Sequence, residues 1–328
     1  MIILKTSRPP SGNFTINRAS WQARGLAAWW PLAGNIHEYV RNYPLATKSG
    51  NATLGTSSMG RVGVFPGADP DHINTNSDIA QGLSYLTVSA WINTNTLSGG
   101  DGNLRYIVSN ETASKGWQMR LSTGDDKLYW YVYRSGWQGA VSTHVLAVNQ
   151  WYLATGVYNS ADPNEIKLYI DGRWNALKSC TPGAIAVSAT TIGIGATPSI
   201  SDRPWSGFIR DVRVYDRALS AAEIYRLWNP ATRYDLYLLP PLSPRASPPS
   251  ATTTVQLDWT DVSENEDGFS IERATDAGAF GEIDTVGAGV ETYDDLALPT
   301  GHTYHYRVRA TSATLGYSEY SNEADVTV

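Results

Sequence analysis

The residues of this chain that could carry out chemistry are few in kind: 31 carboxylates, five histidines and one cysteine. Cleaving a glycosidic bond takes two carboxylates held at a fixed separation. Glu282-Ile283-Asp284 puts two acids close together, but Val286 and Gly287 follow, and the run reads as a solvated strand edge. His37, His72, His144, His302 and His305 show no zinc spacing, and none stands with a serine or cysteine in a nucleophile–base motif. Neither a phosphate-cradling loop nor a dinucleotide fingerprint is present. Cys180 is the only cysteine, so no internal disulfide can form. The inventory points away from an enzyme and toward binding.

Two stretches have the composition for binding. Gly67 to Asp78, GADPDHINTNSD, gathers Asp69, Asp71, Asn74, Asn76 and Asp78. Oxygen donors of this kind suit a hard cation, and calcium is the one cofactor expected if any is held there. The spacing is not that of an EF-hand, and the same residues are ordinary turn formers, so both readings stand open. Ser98 to Asn103 is a weaker second loop of the same kind. The other stretch is Lys127 to Gln138, KLYWYVYRSGWQ. In a strand, Leu128, Trp130 and Val132 point to one face while Tyr129, Tyr131 and Tyr133 point to the other. Sugars are held by aromatic faces with a few convergent polar groups. Tyr129, Tyr131, Tyr133, Arg134, Trp137 and Gln138 are therefore candidate carbohydrate-binding residues, with Trp205 as a more distant contributor. The competing reading of the tyrosine row is sandwich filling or a contact between copies of the chain.

Strands must position these residues. Tyr85 to Thr94 alternates Leu86, Val88, Ala90 and Ile92 with Thr87, Ser89, Trp91 and Asn93. Shorter alternating runs follow at Arg105–Asn110, Trp117–Leu121, Trp151–Tyr158 and Ile166–Arg173, with Gly124-Asp125-Asp126 and Asp171-Gly172 as turns. The glycines of Thr190–Gly195, TTIGIG, mark a close backbone approach. Gly207 to Trp228 reads as a buried strand with a slip in its period. A short helix follows, capped by Ser220 with Glu223 three residues on, and stops at Asn229-Pro230. Short strands punctuated every 8–12 residues or so make an all-β sandwich or jelly roll. The Pro-rich run LLPPLSPRASPPS then reads as a spacer.

Several of these segments carry a family resemblance. Gly25–Asn35 (GLAAWWPLAGN), Gly50–Leu54, Gly63–Gly67 (GVFPG), Ser89-Ala90-Trp91, Trp151–Tyr158 with Leu168-Tyr169-Ile170-Asp171-Gly172, and the closing GFIRDVRVYDRALSAAEI resemble laminin-G-like, concanavalin A-like jelly-roll domains. At Arg210 that family usually has an acidic residue, so no role is carried to this position. Beyond the spacer, Trp259, Leu298, Tyr304 and Tyr306 before Arg307-Val308-Arg309-Ala310, and Tyr320-Ser321-Asn322 resemble a fibronectin type III domain. That resemblance implies a core Trp259 and a tyrosine corner at Tyr304 or Tyr306. The expected organisation is an arm at 1–24, a jelly roll at 25–230, a linker at 231–250 and a fibronectin type III sandwich at 251–328.

Charge is uneven. The net charge is -6, yet from Ala251 onward there are 15 acidic and 3 basic residues, against 16 acidic and 22 basic before it. The acidic end argues against nucleic acid as a partner. No apolar run is long enough for a membrane helix. The start, MIILKTSRPPSGNF, does not read as a secretory signal, which with the single cysteine leads to the expectation of folding in a cytoplasm. The lead-in Ile16–Leu26 resembles those that precede jelly rolls in phage particle proteins. The expected function is that of a bacteriophage virion surface protein: a decoration, fibre or tail-adhesion component. It would bind cell-surface glycans or another capsid or tail protein, with further copies of the chain as a possible assembly partner. The alternatives are a bacterial cell-surface adhesion protein and a glycosidase-associated module.

Overall fold

Side-chain alternation dictates the architecture. In the computed structural model, which describes residues 16–18, 20–41, 44–97, 104–112, 114–122, 124–161, 163–197, 203–230, 232–233, 235–236, 241–247, 253–261, 266–313, 316–318 and 320–328, the chain divides into two units. One runs from Arg24 to Arg233, and the other joins Met1–Ala23 to Tyr234–Val328.

The larger unit contains the strands β1 (Leu26–Trp30), β2 (Thr47–Ser49), β3 (Thr53–Ser57), β4 (Gly60–Pro66), β5 (His72–Asn74), β6 (Tyr85–Thr94), β7 (Arg105–Ser109) and β8 (Trp117–Leu121). They are followed by β9 (Lys127–Tyr133), β10 (Trp137–Val145), β11 (Trp151–Asn159), β12 (Glu165–Ile170), β13 (Arg173–Ser179), β14 (Gly193–Ile194), β15 (Ser206–Tyr215) and the helix α1 (Ala221–Trp228). One sheet runs β13-β12-β11-β6-β15-β4-β3, with β1 also on β15. The facing sheet runs β10-β9-β8-β7-β14-β5-β2. All recorded pairings are antiparallel.

The slip expected in β15 is a bulge. Residues 206–209 pair with β4 and 212–215 with β1, and the pairing to β6 shifts between Arg210 and Arg213. Asp211 at the bulge has φ 53°, and its carboxylate accepts the Trp29 indole N–H at 2.6 Å and pairs with the buried Arg213 at 2.8 Å. Burying that guanidinium is tolerable because its charge is matched. Arg210, where the resemblance has an acid, is buried and donates to the Met59 carbonyl, a structural role.

Between the sheets lies one aromatic-rich core. Trp130 is fully buried, 5.8 Å from Trp117 by ring centroid, and its indole lies flat on Gly156 of the opposite sheet. A Cβ at Gly195 would come within 2.3 Å of the Phe65 ring, which is the close approach the TTIGIG run implied. Asp171 (φ 52°) and Gly172 (φ 72°) form a two-residue hairpin turn with Ile170 opposite Arg173, as a type I′ turn requires. The capping box closes in both directions: Ser220 N–H donates to Glu223 Oε2 at 2.9 Å and Glu223 N–H to Ser220 Oγ at 3.3 Å.

The smaller unit is a second all-β sandwich. Its strands are β16 (Leu242–Ser247), β17 (Val255–Thr260), β18 (Gly268–Thr275), β19 (Gly281–Gly287), β20 (Thr292–Asp295), β21 (Thr303–Ser312), β22 (Gly316–Tyr317) and β23 (Ala324–Thr327). They make sheets β16-β17-β20 and β19-β18-β21-β22, with β23 also on β21. Trp259 plugs its core against Phe269 at 5.6 Å. The two tyrosines expected at a corner differ in their partners. The Tyr304 hydroxyl donates to the Pro299 carbonyl at 2.9 Å, whereas the Tyr306 hydroxyl is spent on Asp295 at 2.8 Å.

Two expectations change here. Part of the Pro-rich spacer is strand β16, which sits at a sheet edge where proline is tolerated. Within the N-terminal lead-in, Asn17 N–H donates to the Leu236 carbonyl at 2.8 Å and the Trp21 indole to Asp235 Oδ2 at 3.1 Å. Asn17 and Trp21 of the expected arm thus dock on their own chain, and its residues 1–15 lie outside the described residues. Glu282-Ile283-Asp284 lies on edge strand β19 with both acids exposed, as a solvated edge should be.

Candidate functional site on the outer sheet face

Strand β9 divides its side chains cleanly: Leu128, Trp130 and Val132 are buried, and Tyr129, Tyr131 and Tyr133 are half-buried on the outward face. Tyr129 and Tyr131 stack with centroids 5.5 Å apart and planes 20° from parallel. Tyr133 meets Trp137 edge-on at 5.4 Å across the hairpin. Gly139 faces Tyr131 in the ladder, and a Cβ there would come within 2.5 Å of the Tyr131 ring. The missing side chain lets that ring lie down over β10.

Beside this row is a cleft of about 400 Å³, lined in part by Tyr131 and Trp137. Strand β8 supplies Gln118 and Arg120, strand β7 supplies Tyr106, and loops supply Leu104, Glu111 and Arg203. The Arg120 guanidinium lies over the Tyr129 ring at 4.8 Å and the Tyr131 ring at 5.5 Å, cation–π contacts that fix its plane. Its Nε–H donates to Gln118 Oε1 at 2.7 Å. Glu111 is buried and accepts the Tyr106 hydroxyl at 2.7 Å, and Arg203 donates to the same hydroxyl at 3.0 Å. Burial pushes the Glu111 carboxyl up, against the Tyr106 hydrogen bond and the Arg203 and Arg120 charges that pull it down. Burial likewise pushes the Tyr106 phenol up, reinforced by Glu111. The Tyr131 hydroxyl and the Trp137 indole N–H have no hydrogen-bond partner among the described residues. The cleft thus offers flat apolar faces, free donors and one carboxylate.

Not every expected residue belongs here. Trp205 is fully buried in the core between the sheets, donating its backbone N–H to the Gly195 carbonyl, so it faces no ligand. An isolated tryptophan carries no direction in sequence, which is why it was misplaced. Arg134 Nη2 donates to the Pro182 carbonyl at 2.5 Å, and Gln138 exchanges hydrogen bonds with Thr181 at 2.9 and 3.0 Å. Both tie the β9–β10 hairpin to the 181–183 segment. Sequence reasoning missed Gln118 and Arg120, although Trp117-Gln118-Met119-Arg120-Leu121 alternates apolar with polar; Glu111 and Arg203 come from loops that no local pattern joins.

The acidic stretch 67–78 serves turns. Asp71 is buried and accepts the backbone N–H of Asn51 at 2.6 Å and of Ala68 at 2.9 Å. Asn74 Oδ1 accepts Asn76 N–H and the Thr191 hydroxyl, and Asn76 donates to the Leu45 carbonyl. Asp69 and Asp78 are exposed. No group of three or more His, Cys, Asp or Glu side chains that could hold a metal occurs among the described residues. Of the oxygens expected to serve calcium, those of Asp71 and Asn74 accept hydrogen bonds from within the fold, while Asp69 and Asp78 face solvent. The second loop, 98–103, lies outside the described residues.

Residues 67–225 match the profile of the family described as the concanavalin A-like lectin/glucanases superfamily, within its laminin G group. Over those residues the larger unit is similar to a concanavalin A-like jelly-roll domain. A curated relative, the zebrafish (Danio rerio) adhesion G-protein coupled receptor V1, is 26% identical over 167 residues, 48% of this chain and 3% of the receptor. The chain therefore spans a small fraction of that relative's length. Among solved structures, domain 4 of AbnA, a GH43 extracellular arabinanase from Geobacillus stearothermophilus solved with arabinotriose, matches with a TM-score of 0.52 and 15% identity, covering 62% of this chain and 98% of that one. The binding domain of botulinum neurotoxin serotype D matches with a TM-score of 0.50 and 13% identity, over 93% of this chain and 96% of that one. At such identities the likeness is one of fold. No helix among the described residues is long and apolar enough to cross a membrane.

Proposed function

We propose that the jelly roll is a non-catalytic glycan-binding module and that its ligand lies in the cleft beside Tyr131 and Trp137. The observation that carries this reading is the cleft itself: two outward aromatic side chains with free donors next to Arg120 and Gln118. Pyranose rings bind by laying C–H faces on aromatic faces while a few polar groups fix orientation. Two domains of similar fold, an arabinanase domain solved with arabinotriose and a neurotoxin binding domain, support it. Glu111 is the single carboxylate lining the cleft among the described residues, and hydrolysis of a glycoside asks for two. The test is a glycan-array screen of the full chain, with and without chelator, repeated with Tyr131→Ala and Trp137→Ala. Binding that survives chelator and falls in both variants is expected; binding unchanged in both would refute the site.

We further propose that the smaller unit is a fibronectin type III spacer, on the support of its two sheets, the core Trp259 and the Tyr304 corner. The setting we propose is the surface of a bacteriophage particle, supported by the lead-in resemblance at Ile16–Leu26 and the disulfide-free composition. Mass spectrometry of purified particles, with antibody labelling in electron microscopy, tests it; absence from particles would refute it. One observation favours a second reading, a module of a glycan-degrading enzyme: the match that covers nearly all of an arabinanase domain.

A further inference from the structure

We infer that the sugar taken by this cleft bears a carboxylate, and that Arg120 is its anchor. The inference rests on the glycan-binding reading and narrows it to a chemical class. Arg120 uses one N–H, from Nε to Gln118, and its Nη groups have no acceptor among the described residues; Nη1 is also buried. A buried donor without a partner costs free energy that a bound acceptor restores. The Tyr129 and Tyr131 rings, at 4.8 and 5.5 Å, orient the face of the guanidinium beside the cleft.

Charge points the same way. Two guanidiniums, Arg120 and Arg203, line the cleft with one carboxylate, Glu111. Glu111 is already engaged by the Tyr106 hydroxyl, to which Arg203 also donates. Among the described lining residues one positive charge is left over, and burial lowers the Arg120 pKa from its ordinary value. A guanidinium meets a planar carboxylate through two parallel N–H···O bonds, a fork that a neutral hydroxyl cannot fill. Tyr131 and Trp137, which line the same cleft, then stand beside the ring that carries the acid. Uronate polymers and sialic acid-terminated glycans both present this group.

The test is calorimetric titration of the full chain with oligogalacturonate and with sialyllactose, each beside its neutral counterpart, methyl-esterified oligogalacturonate or lactose. At least one acid is expected to bind roughly tenfold tighter than its counterpart, the worth of a charge-assisted pair. Arg120→Gln is expected to abolish that preference while residual neutral-sugar binding persists. Should the Gln variant fail to fold, Arg120→Lys keeps the charge but not the fork and is expected to lose most of the preference. Which acid binds identifies the source. Equal binding of acid and neutral forms, or a preference that survives both substitutions, overturns the inference and leaves the glycan reading standing. Binding of neutral array glycans alone does the same, and no binding to any sugar overturns both.

Discussion

Gly156→Ala tests how the platform is held. The added methyl would sit 2.2 Å from Trp130 Cδ2 and 2.5 Å from Cγ, where carbon atoms rest at about 3.5–4.0 Å. The indole would have to retreat by roughly 1.3 Å or more, but Trp117 stands behind it at 5.8 Å and both rings are fully buried. Overpacking of this kind costs about 1–3 kcal/mol, and the flat contact of a rigid ring on a strand backbone places it near the upper end. For a domain of this size each kcal/mol lowers the melting temperature by about 2–4 °C, so a fall of roughly 6–10 °C is expected by scanning calorimetry of the full chain. Adding Trp130→Phe to Gly156→Ala frees space where the methyl intrudes. The double variant is expected to lose less than the sum of the singles, the signature of contacting residues. A Gly156→Ala melt within about 1 °C of the parent, or additive losses, would show that the indole does not rest on Gly156 and would refute the sheet-to-sheet register built on it.

Tyr131→Ala and Trp137→Ala should each weaken glycan binding by about 5- to 30-fold, from roughly 1–2 kcal/mol of lost stacking, with unchanged melting; titration against the best array ligand reads this. Tyr304→Phe removes the hydrogen bond to Pro299 and should cost about 1 kcal/mol, lowering the smaller unit's melt by roughly 4–8 °C. Glu272 gives a pH prediction. Burial alone would raise its carboxyl, but the Tyr320 hydroxyl and the Arg307 and Arg309 charges outweigh it and hold it below the ordinary value of 4.5. A lowered folded-state pKa stabilises above that ordinary value and loses the contribution as pH falls through the lowered one. Glu272→Gln should therefore be less stable than the parent at neutral pH and converge with it in acid, which melts between about pH 6 and 3 will check.

The strands that build the site were legible in sequence because period-two alternation is written residue by residue. The tyrosine row, its buried partners Leu128, Trp130 and Val132, the Asp171-Gly172 turn and the Ser220 cap all follow from local rules. The polar half of the cleft was not legible. Glu111 and Arg203 come together only because β7 and the loop before β15 close over one sheet face, a long-range event without a local signature. The Asp and Asn stretch is ambiguous in sequence because its oxygens could serve a cation or a turn, and the closure of Asp71 onto Asn51 and Ala68 is a contact no local pattern writes. The Pro-rich run was read by composition, which cannot distinguish a spacer from an edge strand.

Strand β9 has one side in the core and the other in the binding face, so its odd positions tolerate change only within what its even positions allow. Of the loop residues around the cleft, Leu104 carries no such constraint, whereas Glu111 and Arg203 are tied to the Tyr106 hydroxyl. That separation makes the sandwich a natural scaffold for affinity reagents. A library varied at Leu104 would explore new sugars on an unchanged aromatic floor, and its members should share the melting behaviour of the parent while diverging in what they hold.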